Sequence, residues 1–181
     1  FAVGMLGSAA VHSAGLEIAL SPSAGNSGDG TIEYRLINQS GTSVHVLRWQ
    51  TPVDGLTNDL FSVRQNGEEV AYVGPLYKRV APRPEDFVEL KPGESLDAKV
   101  DLSASYDMRK GGLYEVSYAR EAREVVQEVM AADRGGATAA VTGFDMRRGT
   151  TSVYADASPD VFDEDNSFRA QVGILAATNS Y

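Results

Sequence analysis

No cysteine occurs anywhere in this chain of 181 residues, so no disulfide can staple it and no thiolate can hold a metal. Histidine is almost as scarce, with only His12 and His45. A catalytic zinc usually takes two or three imidazoles, and a serine triad needs one well placed. Neither kind of site can be assembled here, which removes most hydrolytic chemistry. His45 falls in the alternating run SVHVLRW and reads as a facing or edge residue of a strand. Positive charge is also short. Against 25 Asp and Glu stand 16 Lys and Arg, a net charge of −9. That is the wrong sign for nucleic acid or an anionic membrane surface. The single tryptophan, Trp49, reads as a core plug between sheets.

The rest of the composition is ordinary for a globular domain: 43% hydrophobic and 23% charged residues, enough for one buried core or a core with a tail. Residues 1–14, FAVGMLGSAAVHSA, are small, apolar and uncharged. They look like the back half of a secretory signal peptide whose basic start is missing, with Ser8-x-Ala10 and Val11-x-Ser13 satisfying the cleavage rule. The competing reading is a first apolar strand; the stretch is too short to span a bilayer. The signal reading implies a secreted or periplasmic protein, and the lack of cysteine then favours a bacterial source. Residues 15–157 form the expected domain and residues 158–181 a linker. The end, QVGILAATNSY, reads as a processing boundary. The acids at Asp160, Asp163, Glu164 and Asp165 fit a solvated loop better than a calcium loop, because the spacing matches no ligand template. Asn38-Gln39-Ser40 matches a glycosylation sequon.

Between these ends, short alternating runs are separated by turn signals. Leu16–Leu20, Thr31–Asn38 and Ser43–Trp49 each show a period of two, the mark of a half-buried strand. Asn66-Gly67 is the strongest hairpin signal, since both central residues of a type I′ turn take positive φ. Lys91-Pro92-Gly93-Glu94 has the chemistry of a type II turn. Leu96, Ala98, Val100 and Leu102 share a face of the next strand, and Gly111-Gly112 leads into LYEVSY. Arg120–Asp133 spaces Val125, Val126, Val129 and Met130 as a short helix or connector would, stopping before Gly135-Gly136. Ala139–Phe144 and Thr151–Ala155 read as a last pair of strands. The fold expected is all-β, an immunoglobulin-like antiparallel β-sandwich with a short helix or connector and an extended C-terminal tail.

One segment breaks the pattern. Pro75, Pro82 and Pro84 interrupt any regular strand, so Gly74–Asp86 is expected to be an extended, partly irregular excursion. It carries Tyr77, Lys78 and Arg79. Tyr72, Pro75, Tyr77, Lys78 and Arg79 are the candidate contact residues of the chain. The bland alternative pairs Lys78 and Arg79 with Glu85, Asp86 or Glu89 and gives them no partner outside the domain.

Read in order, DLFSV, EEVAYVGPLYKR, PEDFVEL, KPGES, VDLSASYDM and LYEVSY resemble the N-terminal pro-region of deuterolysin-like and peptidyl-Lys-type zinc metallopeptidases, the aspzincin family. That family's strand, Y-x-G-P segment, P-G-E-S turn, D-L-S stretch and final G-x-Y strand correspond to Asp59–Val63, Tyr72–Arg79, Pro92–Ser95, Asp101–Asp107 and Gly112–Tyr118. The resemblance covers a third to a half of the chain and rests mostly on structural residues. It implies a compact domain preceding a catalytic domain. The family's H-E-x-x-H helix, which holds zinc, is missing from this sequence. Gly149-Thr150 followed by Asp156 echoes a second family signature but lacks its Tyr-Gly and its histidine pair. A catalytic domain would therefore begin after Tyr181, zinc would belong to it alone, and this chain would hold no catalytic residue, metal or cofactor.

The function implied is a pro-domain that inhibits and helps fold a secreted zinc metalloendopeptidase. Its partner would be the cognate catalytic domain, in cis or after cleavage. A stand-alone immunoglobulin-like protease inhibitor or adhesion module is the alternative. A hydrolase working through Asp54 and Asp59, or Asp101 and Asp107, is the third class. Those acids sit in turns and strand ends where solvated carboxylates are expected.

Overall fold

A computed structural model describes residues 15–25, 28–129, 138–140 and 145–158. The segments read as a signal remnant (1–14) and, past Ser158, as a linker lie outside the described residues. So do the glycine pair at 135–136 and residues 141–144.

The described chain is almost entirely β. β1 (Gly15–Pro22) pairs antiparallel with β2 (Thr31–Asn38). β3 (Val44–Leu47) is followed by β4 (Phe61–Gln65) and the two-residue β5 (Glu68–Glu69). β6 (Phe87–Leu90), β7 (Ser95–Asp101) and β8 (Gly112–Tyr118) come next. One helical turn, α1 (Ala122–Val125), leads to β9 (Gln127–Val129) and β10 (Thr138–Ala140). β11 (Asp145–Arg148) and β12 (Thr150–Ala155) close the described chain. One four-stranded sheet has the order β11-β1-β2-β7 and the other β12-β8-β4-β5, with β3-β6 and β9-β10 as separate pairs. All pairings are antiparallel except β1 with β11. The all-β expectation holds.

Alternation explains which faces are buried. Ile32, Tyr34 and Leu36 of β2 are buried while Glu33 and Arg35 face out. Tyr114, Val116 and Tyr118 of β8 alternate with Leu113 and Glu115 in the same way. These inward faces, with Leu16, Ile18, Phe61, Val63, Val100 and Val153, form one core. The two sheets meet across it through aromatic rings. Tyr34 lies 6.3 Å from Phe61, edge to face, and 5.8 Å from Tyr118. Such pairs add about 0.5–1.5 kcal/mol each beyond the area they bury.

Two turns follow their sequence chemistry. Asn66 and Gly67 both take positive φ, 52° and 81°, and Gln65 faces Glu68 across them. Gly93 has φ 81°, and the Glu94 N–H donates to the Lys91 carbonyl at 3.0 Å. The turn after β2 is built on Asn38, which is fully buried. Its amide donates to the carbonyls of Thr42 and Leu90, both at 2.8 Å, and its oxygen accepts from the Ser40 N–H and hydroxyl. With every donor and acceptor committed, the side chain has no face left for a glycan, so the sequon is structural.

The structure corrects three expectations. Trp49 is not a core plug: β3 ends at Leu47 and a 3-10 turn over Arg48–Gln50 takes Trp49 out of the inward alternation, leaving it half-buried. The short helix or connector expected over Arg120–Asp133 is present as one helical turn, and its extent is what changes: the chain passes through Val126 into β9, and residues 130–133 lie outside the described residues. The last strands do not pair with each other, since β12 pairs with β8 and β10 with β9.

Candidate functional site

The chain leaves the core at Tyr72 and returns at Phe87. Tyr72 forms an isolated bridge with Tyr106, and their rings meet edge to face at 5.2 Å. Its hydroxyl donates to the Pro75 carbonyl at 2.9 Å, while the Val73 N–H donates to the Ser105 carbonyl at 2.8 Å. Burial, with Asp59 and Tyr77 nearby, raises the Tyr72 pKa. At the other end a 3-10 turn over Pro84–Asp86 is closed by the Arg83 N–H donating to Asp86 at 2.8 Å. Between these ends the chain is irregular, with bends at Gly74 and Ala81, and from Leu76 to Pro82 no backbone group bonds to another described residue. The prolines explain this, since each removes an N–H and fixes φ.

The side chains on this segment are unusual for a surface. Val73, Leu76, Tyr77 and Val80 are 64%, 70%, 62% and 74% exposed, four of the six large apolar side chains most open to solvent among the described residues. Leu76, Lys78 and Val80 occupy alternate positions in sequence and would share one side if the segment were drawn out as a strand. Arg79, between them, is held to the body. Its guanidinium lies 4.7 Å from the centroid of the Trp49 ring and 5.8 Å from that of Tyr77, within cation–π range. It also donates to the Thr57 hydroxyl at 2.7 Å. Two depressions flank this stack. One, of about 380 Å³, is lined by Trp49, Lys78, Arg79, Val80 and Arg83 together with the carboxylates Glu85 and Asp86; the other, of about 210 Å³, has Arg48, Trp49, Asp54, Thr57, Arg79 and Asp86 in its lining.

The candidate residues therefore separate by position. Pro75, Tyr77 and Lys78 project from the excursion, Arg79 clamps it to the body, and Tyr72 is its root. The local ion pairs weighed for Lys78 and Arg79 do not form among the described residues: Glu85 pairs with Arg83 at 3.7 Å, and Glu89 faces His45 across β3 and β6. Sequence reading missed Val73, Leu76 and Val80; for Leu76 and Val80, their spacing two residues either side of Lys78 was the available signal. It missed Trp49 as well, because a clamp across 30 residues leaves no local pattern.

The base beneath the excursion is stiff. The Tyr106 hydroxyl accepts from the Phe61 N–H at 3.0 Å and donates toward Asp59 at 2.8 Å. Tyr118 donates to the Gln50 carbonyl, and Arg120 to the Asp59 carbonyl. Burial drives the pKa values of Tyr106 and Tyr118 well above the usual phenol range.

The carboxylates weighed for acid–base work do not pair with each other. Asp54 is held by Arg48 at 2.8 and 2.9 Å, and Asp107 by Arg109 at 2.6 Å. The hydrogen bonds from those arginines lower both pKa values, the direction opposite to that of a general acid. Asp59 receives Tyr106, and Asp101 accepts from Ser103. No three His, Asp or Glu side chains converge on a metal among the described residues. His45 and Glu89 face each other with no third donor, so this donor set does not fit a catalytic zinc. The Gly149 echo has a packing role: a Cβ there would lie 2.5 Å from the Ile18 carbonyl of β1. Among the described residues no helix is long and apolar enough to cross a membrane.

An all-β body presenting one irregular, exposed apolar and basic segment is the class of structure seen. Comparison with known proteins adds a context. No protein-family model matches the chain. It is similar to an "Extracellular protease" of Aeromonas hydrophila, 36% identical over 105 residues, covering 58% of this chain and 30% of that protein. It is also 32% identical over 92 residues to a "Neutral protease 2 homolog" of Arthroderma gypseum, covering 50% of this chain and 26% of that one. A "Probable neutral protease 2 homolog A" of Trichophyton rubrum is 32% identical over 87 residues, with 47% and 24% covered. The chain thus spans less than a third of the length of these relatives.

Proposed function

We propose that this chain is the pro-domain of a secreted zinc metalloendopeptidase precursor of the aspzincin type, acting as inhibitor and folding assistant and itself without catalytic residues. The observation that carries this reading is the segment from Val73 to Arg83. Within it residues 76–82 make no backbone hydrogen bond to another described residue, residues 75–81 are all exposed, and Tyr72 and Arg79 tie the stretch to a domain whose relatives are named proteases.

Drawn out in a cleft, such a segment would take the form of a bound substrate. An extended peptide can add to the edge of a cleft's strand through its free N–H and C=O groups while side chains enter pockets. Leu76, Lys78 and Val80 would face the enzyme, and Tyr77 and Pro75 would flank them. Pro75, Pro82 and Pro84 narrow the unbound ensemble, so less entropy is lost on docking. Arg79, stacked on Trp49, ties the segment to the body. The partner is the catalytic domain, in cis before cleavage and bound or released after it, and zinc belongs there. The stretch after Ser158, read as a linker, would keep the inhibitor at high effective concentration until cut. Export of the precursor to the periplasm or beyond is part of the same reading, supported by the name of the Aeromonas hydrophila relative.

The test is to titrate the separated chain into the catalytic domain of its own precursor and follow peptide hydrolysis. Saturable inhibition, lost when Leu76–Val80 is replaced by a Gly/Ser segment of equal length, is expected. Absence of inhibition, with no gain in refolding yield of the catalytic domain, would overturn the proposal in favour of a stand-alone binding module.

A further inference from the structure

We propose that the Lys78–Arg79 peptide bond is a processing site for a lysine-directed endopeptidase, and that one cut there leaves a folded two-fragment domain. The inference stands on the geometry of the segment and does not depend on the chain being a pro-domain. If the chain is one, the cut severs its contact segment and is a means of ending inhibition.

Proteolysis requires a stretch that can adopt the extended form and enter a cleft without unfolding its surroundings. Residues 76–82 carry no regular secondary structure, and none of their backbone groups has to break a bond to another described residue in order to become extended in a cleft. Lys78 is exposed and forms no ion pair among the described residues, so its side chain is free to enter a specificity pocket. Arg79 is not equivalent. A cut after it would need its guanidinium to leave Trp49 and Thr57. Adjacent basic residues thus differ in readiness, and the structure assigns the cut to Lys78. The chemistry is plain hydrolysis: water adds across the amide, Lys78 gains a carboxylate and Arg79 a new α-amino group.

The remaining lysines are exposed too, but the backbone beside each is held. Lys91 precedes Pro92, whose ring obstructs the bond after it. Lys99 lies inside β7, in register with Glu33 of β2. Lys110 sits in a turn closed by the Gly111 N–H on the Met108 carbonyl at 3.0 Å, and Gly111 takes φ 65°. Topology then decides whether the two fragments stay together. β1 to β5 fall in one fragment and β6 to β12 in the other, yet β2 pairs with β7, β4 with β8 and β3 with β6. Both four-stranded sheets and the β3-β6 pair contain strands of both fragments, so separating them would expose the core.

The experiment treats the 181-residue chain with a lysine-specific endopeptidase and tracks products by intact mass, native size exclusion and tryptophan emission. The expected result is a first product pair split between Lys78 and Arg79. The cut material should elute as one species with unchanged far-UV circular dichroism, while the emission of Trp49 shifts. Lys78→Gln, an exposed change that leaves the fold intact, should abolish that first cut. A first cut at Lys91, Lys99 or Lys110, a cut pattern unchanged in Lys78→Gln, or fragments that separate under native conditions would each overturn the proposal. Inhibition of a peptidase enters none of these readings, so this inference and the proposed function can fail separately.

Discussion

The tyrosine-lined core and the proline-bounded excursion hold the same residue types under opposite rules. Tyr34, Tyr106, Tyr114 and Tyr118 are buried, with ring contacts or hydroxyl bonds reaching across the sheets. Tyr77, five residues past Tyr72, is open to solvent, as are Leu76 and Val80. In the core each apolar side chain is covered by another strand of the same chain. In the excursion nothing among the described residues covers them, and the backbone beside them is unbonded. A surface that leaves several large apolar groups in water along one short segment has a cost that folding alone does not return, which points to an external partner.

Breaking the core should have the largest effect. Leu36→Ala, at a fully buried site of β2, is expected to cost about 2–5 kcal/mol, read by urea unfolding. Leu76→Ala in the same assay should leave the midpoint unmoved. Asn38→Ala comes next: it strands the carbonyls of Thr42 and Leu90 and should cost about 1–3 kcal/mol.

Alkaline pH separates the regions in a third way. Burial raises the pKa values of Tyr34, Tyr106 and Tyr118, so the folded state keeps protons that the unfolded chain gives up. Their contribution is fully present below the unfolded value of about 10 and is lost as pH climbs from there toward the folded values. Each buried tyrosine withholds about 1.4 kcal/mol per pH unit across that window. Unfolding free energy should fall steeply above about pH 10, and Tyr118→Phe should flatten the fall. An equal slope in that variant would contradict the assignment.

Gly67→Ala, at φ 81°, should cost about 1 kcal/mol by forcing a Cβ into left-handed backbone. Apart from Leu76→Ala, the smallest change in stability belongs to Arg79→Ala, under about 1 kcal/mol for an exposed cation–π contact. Its signature is spectroscopic: the emission of the sole tryptophan should move, since the guanidinium no longer covers the ring.

How far these regions could be read in advance depends on the range of the forces that shape them. Thr31–Asn38, the Asn66-Gly67 hairpin and the Lys91–Glu94 turn are set by neighbours within a few residues, and each formed where its pattern lay. The parallel partner of β1 is β11, more than 100 residues away, and no local period encodes such a choice. Val125-Val126 met both templates, and pairing to β10 decided for strand beyond α1. At the site, prolines announced the excursion and its basic pair. The Trp49–Arg79 stack, the exposed alternation around Lys78 and the rooting of Tyr72 against Tyr106 are tertiary facts.

The central claim is that this domain serves a peptidase encoded on the same precursor, and the most direct measurement is to read the gene downstream of the codon for Tyr181. The account predicts an open frame of a further domain's length containing H-E-x-x-H with an aspartate ligand beyond it. A stop codon directly after Tyr181 would contradict it and leave a free-standing domain whose exposed segment binds something else.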